Sequence, residues 1–431
     1  MTRHNIMETA SLKDYLDSLI LHGIKLGLHN IKELMTVVGN PQLTYPVVHV
    51  AGTNGKGSVI TFLNAMLRQA GYKTGRFTSP HLIEVNERFL INDVPISDEE
   101  LFEHLDALRS AAKNASLTPT YFEMNTAIAF RSFAKNQVDI ALVEVGMGGR
   151  FDATNIVEPD VCAITTIDYD HTQYLGETLE QIAFEKAGIL KKDTLAVTGP
   201  IPESPMSIIE AQARRINTPV YHWGEEYQVS AGGDALRPLI TYHGQAYELK
   251  AVPLGVSGFH QVDNAGIAIT LAGLLKENFT KLDQASIIKG LQLARWPGRF
   301  EQVLDDPPVI MDVAHNPAGC RTIADAISDC VTIFSVSADK DVTQMLEILA
   351  PISNPLILTK YSGARALSIS QLMVLAKKYP HEILPTLETS IDQGLLLASM
   401  HRPLLITGSI YAVGEARRIL TEKYKARPLV F

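Results

Sequence analysis

The chain has 431 residues, of which 46% are hydrophobic and 20% are charged, and its formal net charge is −9. This composition is typical of a globular protein with two or three domains, and the mixing of acidic with basic residues argues against nucleic acid or an anionic membrane as the main partner. The longest apolar run, Ala265–Leu275, is shorter than the about 20 residues that a membrane span needs. The first residues show no secretory signal and the three cysteines are widely spaced, so we expect a cytoplasmic protein with buried thiols.

The first predicted elements are a strand, a glycine-rich loop and a helix. Val47–Val50 is a short apolar run, Gly52–Gly57 forms the loop, and apolar residues recur at helical spacing after Ser58. Two further apolar and β-branched runs, 138–145 and 161–167, are typical of strands that are buried on both faces. We therefore predict an α/β fold whose first part is a mainly parallel, doubly wound sheet of the P-loop ATPase type.

The later part of the chain divides at a strong breaker, Pro297-Gly298. Before it, residues 200–256 indicate short antiparallel strands, interpreted as an edge extension of the first domain. Beyond it, apolar strands and amphipathic helices alternate again. The sequence thus predicts a P-loop domain over residues 1–296 and a smaller, Rossmann-like α/β domain over residues 297–431.

The glycine-rich loop nearly matches the P-loop pattern, in which Ser or Thr directly follows Gly-Lys and reaches Mg²⁺. Here Gly57 intervenes, and Ser58 comes one residue late. The N–H groups of such a loop and of the helix start form an anion cradle, to which Lys56 adds a positive charge for the β- and γ-phosphates. A glycine-rich turn alone is weak, because many such turns only reverse the chain. The strand before it and the helix after it make nucleotide binding the favoured interpretation.

Three other candidate residues are weaker when each is taken alone. Glu144 ends a buried strand, where a carboxylate suits Mg²⁺, and the glycine run that follows suggests close approach of the backbone to another group. His171 follows the next strand, but a histidine there is more often a loop or core residue than a ligand. Lys186 lies on a predicted helix, where a lone lysine is usually solvated, and no physical feature of the sequence singles it out.

Seven motifs occur in this order along the chain: GTNGKGS, TSPHL, EVGMGGRFDATN, DHTQYLG, FEKAGI, WPGRF and DVAHNP. Together they closely resemble the folylpolyglutamate synthases and bifunctional dihydrofolate synthases, which belong to the Mur ligase superfamily. The resemblance covers nearly the whole chain. It implies an ATP-dependent acid–amino-acid ligase that adds L-glutamate to dihydropteroate, giving dihydrofolate, and to the polyglutamate tails of folate or tetrahydrofolate. It also implies that residues 1–296 bind ATP and the pterin and that residues 297–431 lie on the glutamate side.

Such a ligase has to convert a carboxylate into an acyl donor. Attack of the carboxylate on the γ-phosphate of ATP gives an acyl phosphate, and the glutamate amine then displaces phosphate to form the amide. Because two anions meet in the first step, charge neutralisation and in-line positioning are required. The agents that we expect are Lys56 and one or two Mg²⁺ ions.

The resemblance implies roles for single residues. It assigns metal binding to Ser79, Glu144 and His171, and it matches Lys186 to a family lysine that is carbamylated. Positions that bind ATP in the family are matched by Thr53, Asn54, Gly55, Lys56, Gly57, Ser58, Asn264, Arg299 and Asp312. His315 and Ser409 resemble residues that face the glutamate or the acyl phosphate, and His315 joins Lys56 and Lys186 as a predicted catalytic group.

The predicted pterin site comes from three segments that resemble the dihydropteroate-binding segments of bifunctional members. These are Ile24, Lys25 and Leu26; Thr120, Tyr121, Phe122 and Glu123; and Phe151, Asp152 and Ala153. The Phe122 ring is able to stack on a flat pterin, and Asp152 is able to accept hydrogen bonds from its amino groups. Core packing at a helix start is the alternative explanation for Phe122.

We expect small-molecule partners only, namely ATP, dihydropteroate, folates and L-glutamate, with neither nucleic acid nor membrane, and a monomeric protein. Three alternatives stay open at this stage. The chain is a folylpolyglutamate synthase only; it is another Mur-type amide ligase, although the short stretch before the loop leaves little room for the usual extra substrate domain; or it is a regulatory P-loop ATPase. The last alternative leaves the domain with DVAHNP unexplained.

Overall fold

The computed structural model describes residues 14–16, 18, 19, 23, 25 and 27–431. They form two compact units. The first contains the described residues up to Ser230, with Thr241–Val252 and Asp263–Leu293, and the second contains Ala231–Ile240, Pro253–Val262 and Ala294–Phe431. The two continuous domains expected from the sequence, 1–296 and 297–431, stay a prediction.

The first unit is built around an eight-stranded sheet in the order β4-β3-β2-β5-β1-β6-β7-β8. Its strands are β1 Val47–Ala51, β2 Thr74–Phe77, β3 Phe89–Ile91, β4 Val94–Pro95, β5 Ile140–Glu144, β6 Val161–Ile164, β7 Leu195–Thr198 and β8 Val220–Tyr221. Neighbours from β2 to β8 are parallel, and β3 and β4 add antiparallel pairs at one edge. Every residue of β1 and β5 is buried, and only His49 and Glu144 in them are polar, as expected for strands covered on both sides. The predicted mainly parallel sheet is confirmed.

Helices alternate with these strands along the chain. They are α1 His29–Val37, α2 Lys56–Gln69, α3 Asp98–Asn114, α4 Tyr121–Lys135, α5 Thr172–Leu175, α6 Leu179–Ala187 and α7 Glu203–Ile216, followed by α8 His260–Leu275 and α9 Gln284–Leu293. Short 3₁₀ helices lie at Pro41–Leu43, Val85–Arg88 and Ala153–Ile156. Helix α2 is buried along most of its length and packs against β5 and α9. The loop that precedes α2 therefore rests on a helix that is fixed by the core.

The segment between residues 227 and 253 forms a separate three-stranded sheet in the order β11-β10-β9. Its strands are β9 Tyr227–Gly233, β10 Pro238–Gly244 and β11 Glu248–Pro253. Short strands at the edge of the first domain are what the sequence predicts here, and the strands form a sheet of their own. None of them pairs with the eight strands described above.

The second unit contains a six-stranded sheet in the order β12-β13-β17-β14-β15-β16. The strands are β12 Glu301–Asp305, β13 Pro308–Met311, β14 Cys330–Phe334, β15 Ser353–Leu358, β16 Glu382–Ile383 and β17 Leu404–Thr407, and the helices are α10 Pro317–Ala326, α11 Val342–Leu349, α12 Ile369–Ala376, α13 Leu387–Leu397 and α14 Ile410–Tyr424, with a 3₁₀ helix at Ala350–Ile352. Only β12 runs antiparallel to its neighbour, so this sheet is mixed. The predicted second α/β domain is confirmed, with one antiparallel edge strand.

Across the part of the chain that the structure describes, no helix combines the length and the apolar character that crossing a membrane requires.

Candidate active site

The glycine-rich loop joins β1 to α2 in a conformation that two of its glycines make possible. Gly52 has φ 148° and Gly55 has φ 90°, both in the region that L-residues rarely adopt. A Cβ on Gly52 would overlap Thr165 Oγ1, and a Cβ on Gly55 would overlap Asn264 Oδ1. The loop therefore packs against the exit of β6 and against the Asn264 amide of α8. Lys56 opens α2 directly after Gly55, and Ser58 is buried in the first helical turn.

The residues that directly follow β6 hold the loop through a set of hydrogen bonds that the sequence did not reveal. Thr53 N–H donates to Thr166 O at 2.8 Å, and Asn54 N–H donates to Thr166 Oγ1 at 3.0 Å. Thr165 Oγ1 in turn donates to Asn54 O at 2.5 Å. The Thr53 hydroxyl closes the set, because it donates to Asp168 O and accepts from Asp168 N–H. The only sequence signal was a pair of hydroxyl residues at the end of a buried strand.

Two lysine ammonium groups meet at one carbonyl oxygen of this loop. Lys56 Nζ donates to Gly52 O at 2.9 Å and to Thr53 O at 3.1 Å, and Lys186 Nζ donates to the same Gly52 O at 2.9 Å. Lys186 is buried near the end of α6. Burial, reinforced by the charge of Lys56, lowers the pKa of Lys186 to about 7, against the opposing pull of Asp170 and Asp152. The interpretation of Lys186 as a solvated surface residue is therefore wrong.

The predicted metal ligands lie at the carboxyl ends of neighbouring strands. Glu144 ends β5 and is buried, and its Oε2 accepts a hydrogen bond from Ser79 N–H at 3.0 Å. His171 follows β6, opens helix α5 with φ 50°, and has its Nε2 3.8 Å from Asp170 Oδ2. Since β5 and β6 flank β1 in parallel, these residues share the edge of the sheet from which the loop emerges. The structure brings Ser79 and Glu144 into contact, and their oxygen donors are of the type that Mg²⁺ prefers.

The glycine run after Glu144 makes the close approaches that the sequence suggested, and these are to other parts of the protein. A Cβ on Gly146 would overlap the Phe122 ring. A Cβ on Gly149 would lie 2.9 Å from Glu185 O and 3.0 Å from Lys186 O. The run therefore lets the backbone pack directly against α4 and against the end of α6.

A second set of contacts, which the sequence did not reveal, fastens the same segment to the end of α6. The Arg150 guanidinium binds Glu185 through Nη2 at 2.6 Å and Nε at 3.3 Å, and Arg150 N–H donates to Glu185 O at 2.8 Å. The Asn155 amide donates to both Arg150 O and Gly188 O at 3.0 Å. The segment with the GGRFDATN motif and the helix end that carries Lys186 are thereby held together.

The predicted pterin segment on α4 is partly used for helix capping. Thr120 Oγ1 accepts from Glu123 N–H, and Glu123 accepts from Thr120 N–H at 2.7 Å, which is a capping box. The Phe122 ring covers Gly146 and lies 5.9 Å from the Phe77 ring, and Tyr121 lies under the Arg88 guanidinium. Lys25 is exposed, and Ile24 and Leu26 lie outside the described residues.

Asp152 is buried and accepts hydrogen bonds on both carboxylate oxygens. Met147 N–H donates to Oδ2 at 2.9 Å, and Thr154 donates to Oδ1 through its N–H at 3.0 Å and its hydroxyl at 2.5 Å. Burial raises the pKa of Asp152, and these hydrogen bonds oppose that rise. Beside it, Phe151 is partly exposed against the Arg150 guanidinium and Ala153 is buried.

In the second unit, Asp312 follows β13 and is buried. Its Oδ2 accepts from Phe300 N–H and its Oδ1 from Ala314 N–H, both at 2.8 Å. Burial raises the pKa of Asp312, and the charge of Arg299 opposes the rise. Asp312 and Arg299 therefore lie within electrostatic reach of each other.

The two residues predicted for the glutamate side follow two different strands of the second sheet. His315 comes after β13, and its Nδ1 lies 3.0 Å from Val313 O, so Nδ1 carries the proton. Ser409 follows β17, caps α14 by accepting from Tyr411 N–H, and has its hydroxyl 3.4 Å from Ser337 Oγ. The neighbouring Ser337 hydroxyl was not singled out by the sequence.

Comparison with known proteins agrees with this geometry. The Mur ligase middle domain matches residues 50–272, and the Mur ligase glutamate ligase domain matches residues 298–410. The dihydrofolate synthase/folylpolyglutamate synthase of Bacillus subtilis is 33% identical over 434 aligned positions, which cover 95% of this chain and 98% of the relative. This chain belongs to that family of Mur ligases. Members of the family are ATP-dependent ligases, and the ligase class predicted from the motifs is confirmed.

Solved structures of the family superpose on this chain over almost its whole length. A folylpolyglutamate synthase from Mycobacterium tuberculosis, complexed with ADP and AMPPCP, gives a TM-score of 0.88 at 32% identity and covers 96% of this chain and 98% of its own. An E. coli FolC in complex with DHPP and ADP gives 0.87 at 29% identity, with the same coverage of each chain. Both of these related proteins bind an adenine nucleotide, and the E. coli protein also binds DHPP.

Proposed function

We propose that this protein uses ATP to join L-glutamate in amide linkage both to dihydropteroate and to folates. The observation that carries the proposal is the meeting of Lys56 and Lys186 at Gly52 O, on the sheet edge that also holds Ser79 and Glu144. Positive charge and oxygen ligands at one edge are what the transfer of a phosphoryl group to a carboxylate requires. The sequence-based predictions of a monomeric, cytoplasmic protein without membrane or nucleic acid partners are retained.

The phosphate groups of ATP would be held by the loop from Thr53 to Ser58 and by the start of α2. The N–H groups of Thr53 and Asn54 are bonded to Thr166, so the phosphate oxygens would be bound by the N–H groups at the start of α2. Lys56 would exchange its bonds to Gly52 O and Thr53 O for bonds to the phosphates. In the second unit, Arg299 and Asp312 are proposed to contribute further ATP contacts.

One or two Mg²⁺ ions would be held by Ser79, Glu144 and His171, with two oxygen donors and one imidazole. When bound, Mg²⁺ neutralises the negative charge of the phosphate groups. The chain itself contributes the positioning, because the hydrogen bond from Ser79 N–H orients the Glu144 carboxylate.

We further propose that the neutral Lys186 amine takes up CO₂. A lysine with a pKa of about 7 is roughly half neutral at pH 7, whereas one at its ordinary value is neutral in only about 3 molecules per 10,000. The neutral amine nitrogen bonds to the carbon of CO₂ and releases one proton to give a carbamate anion, so that two protons in all are lost when the ammonium form is the starting point. An anion at that place pairs with Lys56 rather than repelling it. Enrichment with ¹³C-bicarbonate tests this step, since the expected carbamate resonance disappears in Lys186→Met.

For the organic substrates, the pterin is assigned to the segments Thr120–Glu123 and Phe151–Ala153, together with residues 24–26. The partly exposed Phe151 ring and the Phe122 ring supply apolar surface for a flat heterocycle. On the glutamate side we propose His315 and Ser409, with His315 Nε2 directed to the acyl phosphate or the incoming amine.

The test is the release of ADP by the purified protein with ATP and Mg²⁺, with and without glutamate and each acceptor. We expect release only when glutamate is present with dihydropteroate or with tetrahydrofolate. If the rate of ADP release is the same with and without glutamate and the acceptor, the protein is not a ligase, and a regulatory ATPase is the remaining alternative. Release with tetrahydrofolate but not with dihydropteroate would restrict the protein to extension of the polyglutamate tail.

A further inference from the structure

His49 is a buried titratable residue that has no role in the proposed function described above. It lies in the middle of β1, between Val48 and Val50, and is 0% exposed. Its Nδ1 has no hydrogen-bond partner, and its Nε2 lies 2.8 Å from Thr154 Oγ1. Leaving a buried ring nitrogen without a partner is unfavourable, and an apolar residue at the same place would avoid it. The contact with Thr154 is therefore the feature that a histidine adds to this strand.

The direction of the hydrogen bond between His49 and Thr154 follows from the bonds that the Thr154 hydroxyl makes to Asp152. Asp152 accepts backbone N–H bonds on both oxygens, from Thr154 and from Met147, so its carboxylate acts as an acceptor on each side. The Thr154 hydroxyl has one proton and lies 2.5 Å from Asp152 Oδ1, so it donates to the carboxylate. Its oxygen is then an acceptor towards the ring, and His49 has to donate through Nε2–H.

This chain of hydrogen bonds ends on the residue that shapes the proposed pterin segment. Asp152 caps the 3₁₀ helix Ala153–Ile156 and also binds Met147 N–H, so it closes the turn between the end of β5 and that helix. The turn presents Phe151 and Ala153. A change in the orientation of Asp152 would therefore move Phe151 and Ala153. His49 and Thr154 are buried, so they would affect the pterin segment only through Asp152.

We propose that His49 is a positioning residue for the pterin segment, acting through the Thr154 hydroxyl on the Asp152 carboxylate. The inference deepens the proposed function and rests on the assignment of Phe151–Ala153 to the pterin. Strand β1 would then contribute to both sites, because the nucleotide loop follows its last residue and His49 in its middle positions the pterin segment.

The kinetic test compares variants that remove the hydrogen bonds with variants that keep them. His49→Leu and Thr154→Val should each raise KM for dihydropteroate about tenfold while KM for ATP changes less than about twofold, since only the pterin segment is displaced. His49→Gln, whose amide still donates at a similar reach, and Thr154→Ser should stay within about threefold of the unmodified protein. His104→Leu is the matched control. That histidine is equally buried, also has an Nδ1 without a partner, and faces Glu100 on α3 instead.

A second measurement does not depend on activity or on the tolerance of His49→Leu. In protein labelled with ¹⁵N-histidine, the resonances lost in His49→Gln should be those of a neutral ring protonated at Nε2. Protonation at Nδ1 would overturn the inference. A catalytically active protein whose KM for dihydropteroate is the same in His49→Leu, or changes equally in His104→Leu, would also overturn it. Inactivity of the unmodified protein with dihydropteroate would instead contradict the proposed function.

Discussion

Replacing Lys186 by methionine should make the protein more stable while abolishing ligation. In the folded chain burial and the nearby Lys56 lower the pKa of Lys186 from 10.5 to about 7, so the charged form is disfavoured there. At 1.36 kcal/mol for each pKa unit, this shift corresponds to a penalty of about 5 kcal/mol at pH values below 7. Methionine loses the hydrogen bond to Gly52 O, worth about 1 kcal/mol, and local relaxation reduces the gain further. We expect a net stabilisation of about 3 kcal/mol.

The sign of the pH dependence is fixed by the same shift. A lysine with a lowered pKa in the folded state binds fewer protons there than in the unfolded state, so the stability of the unmodified protein rises between pH 7 and 10.5. The penalty is fully present below the folded pKa and is lost as the pH approaches the unfolded value. The advantage of Lys186→Met should therefore fall by about 3 kcal/mol between pH 6.5 and 9.5.

The assay is calorimetric unfolding in CO₂-free buffer over this pH range. A gain of about 3 kcal/mol corresponds to a rise in Tm of about 6–10 °C for a unit of this size. Lys192→Met is the control, because that side chain is exposed and should change the stability by less than about 0.5 kcal/mol. Adding bicarbonate should raise the Tm of the unmodified protein only, since a ligand of the folded state stabilises it. A Lys186→Met variant that is no more stable at pH 6.5, or whose advantage is the same at pH 9.5, would refute the reasoning.

Two further predictions concern the nucleotide loop and the glutamate side. Gly55→Ala should weaken the binding of AMPPCP at least about 100-fold in calorimetric titration, because the added Cβ overlaps Asn264 Oδ1 at a position with φ 90°. Gly71→Ala is the control, because Gly71 has a similar φ of 83° but open space around the added Cβ, and this variant should bind AMPPCP as the unmodified protein does. An equal loss of AMPPCP binding in both variants would show that backbone strain alone is responsible. Ser409→Ala should raise KM for glutamate about tenfold in the ADP-release assay without changing AMPPCP binding. An unchanged KM for glutamate would remove Ser409 from the glutamate side.

Local sequence determined much of the fold and the class of the site. The loop between β1 and α2, the apolar strands and the second α/β unit are encoded by glycines, β-branched runs and helical periodicity, all of which act within a few residues. The ordered motifs also sufficed to indicate the family. Local patterns constrain the backbone dihedrals and which faces are buried, and these properties depend little on distant parts of the chain.

Tertiary structure decided what each residue of the site is able to do. Lys186 looked like a surface lysine, and only its burial beside Gly52 and Lys56, far away in sequence, lowers its pKa into the range of a nucleophile. Likewise, the glycine run and His49 gained a meaning only from Phe122 and Thr154, which lie on other elements. Desolvation, Coulomb interactions and hydrogen-bond partners depend on every atom within a few ångströms, and the sequence specifies those neighbours only through the complete fold.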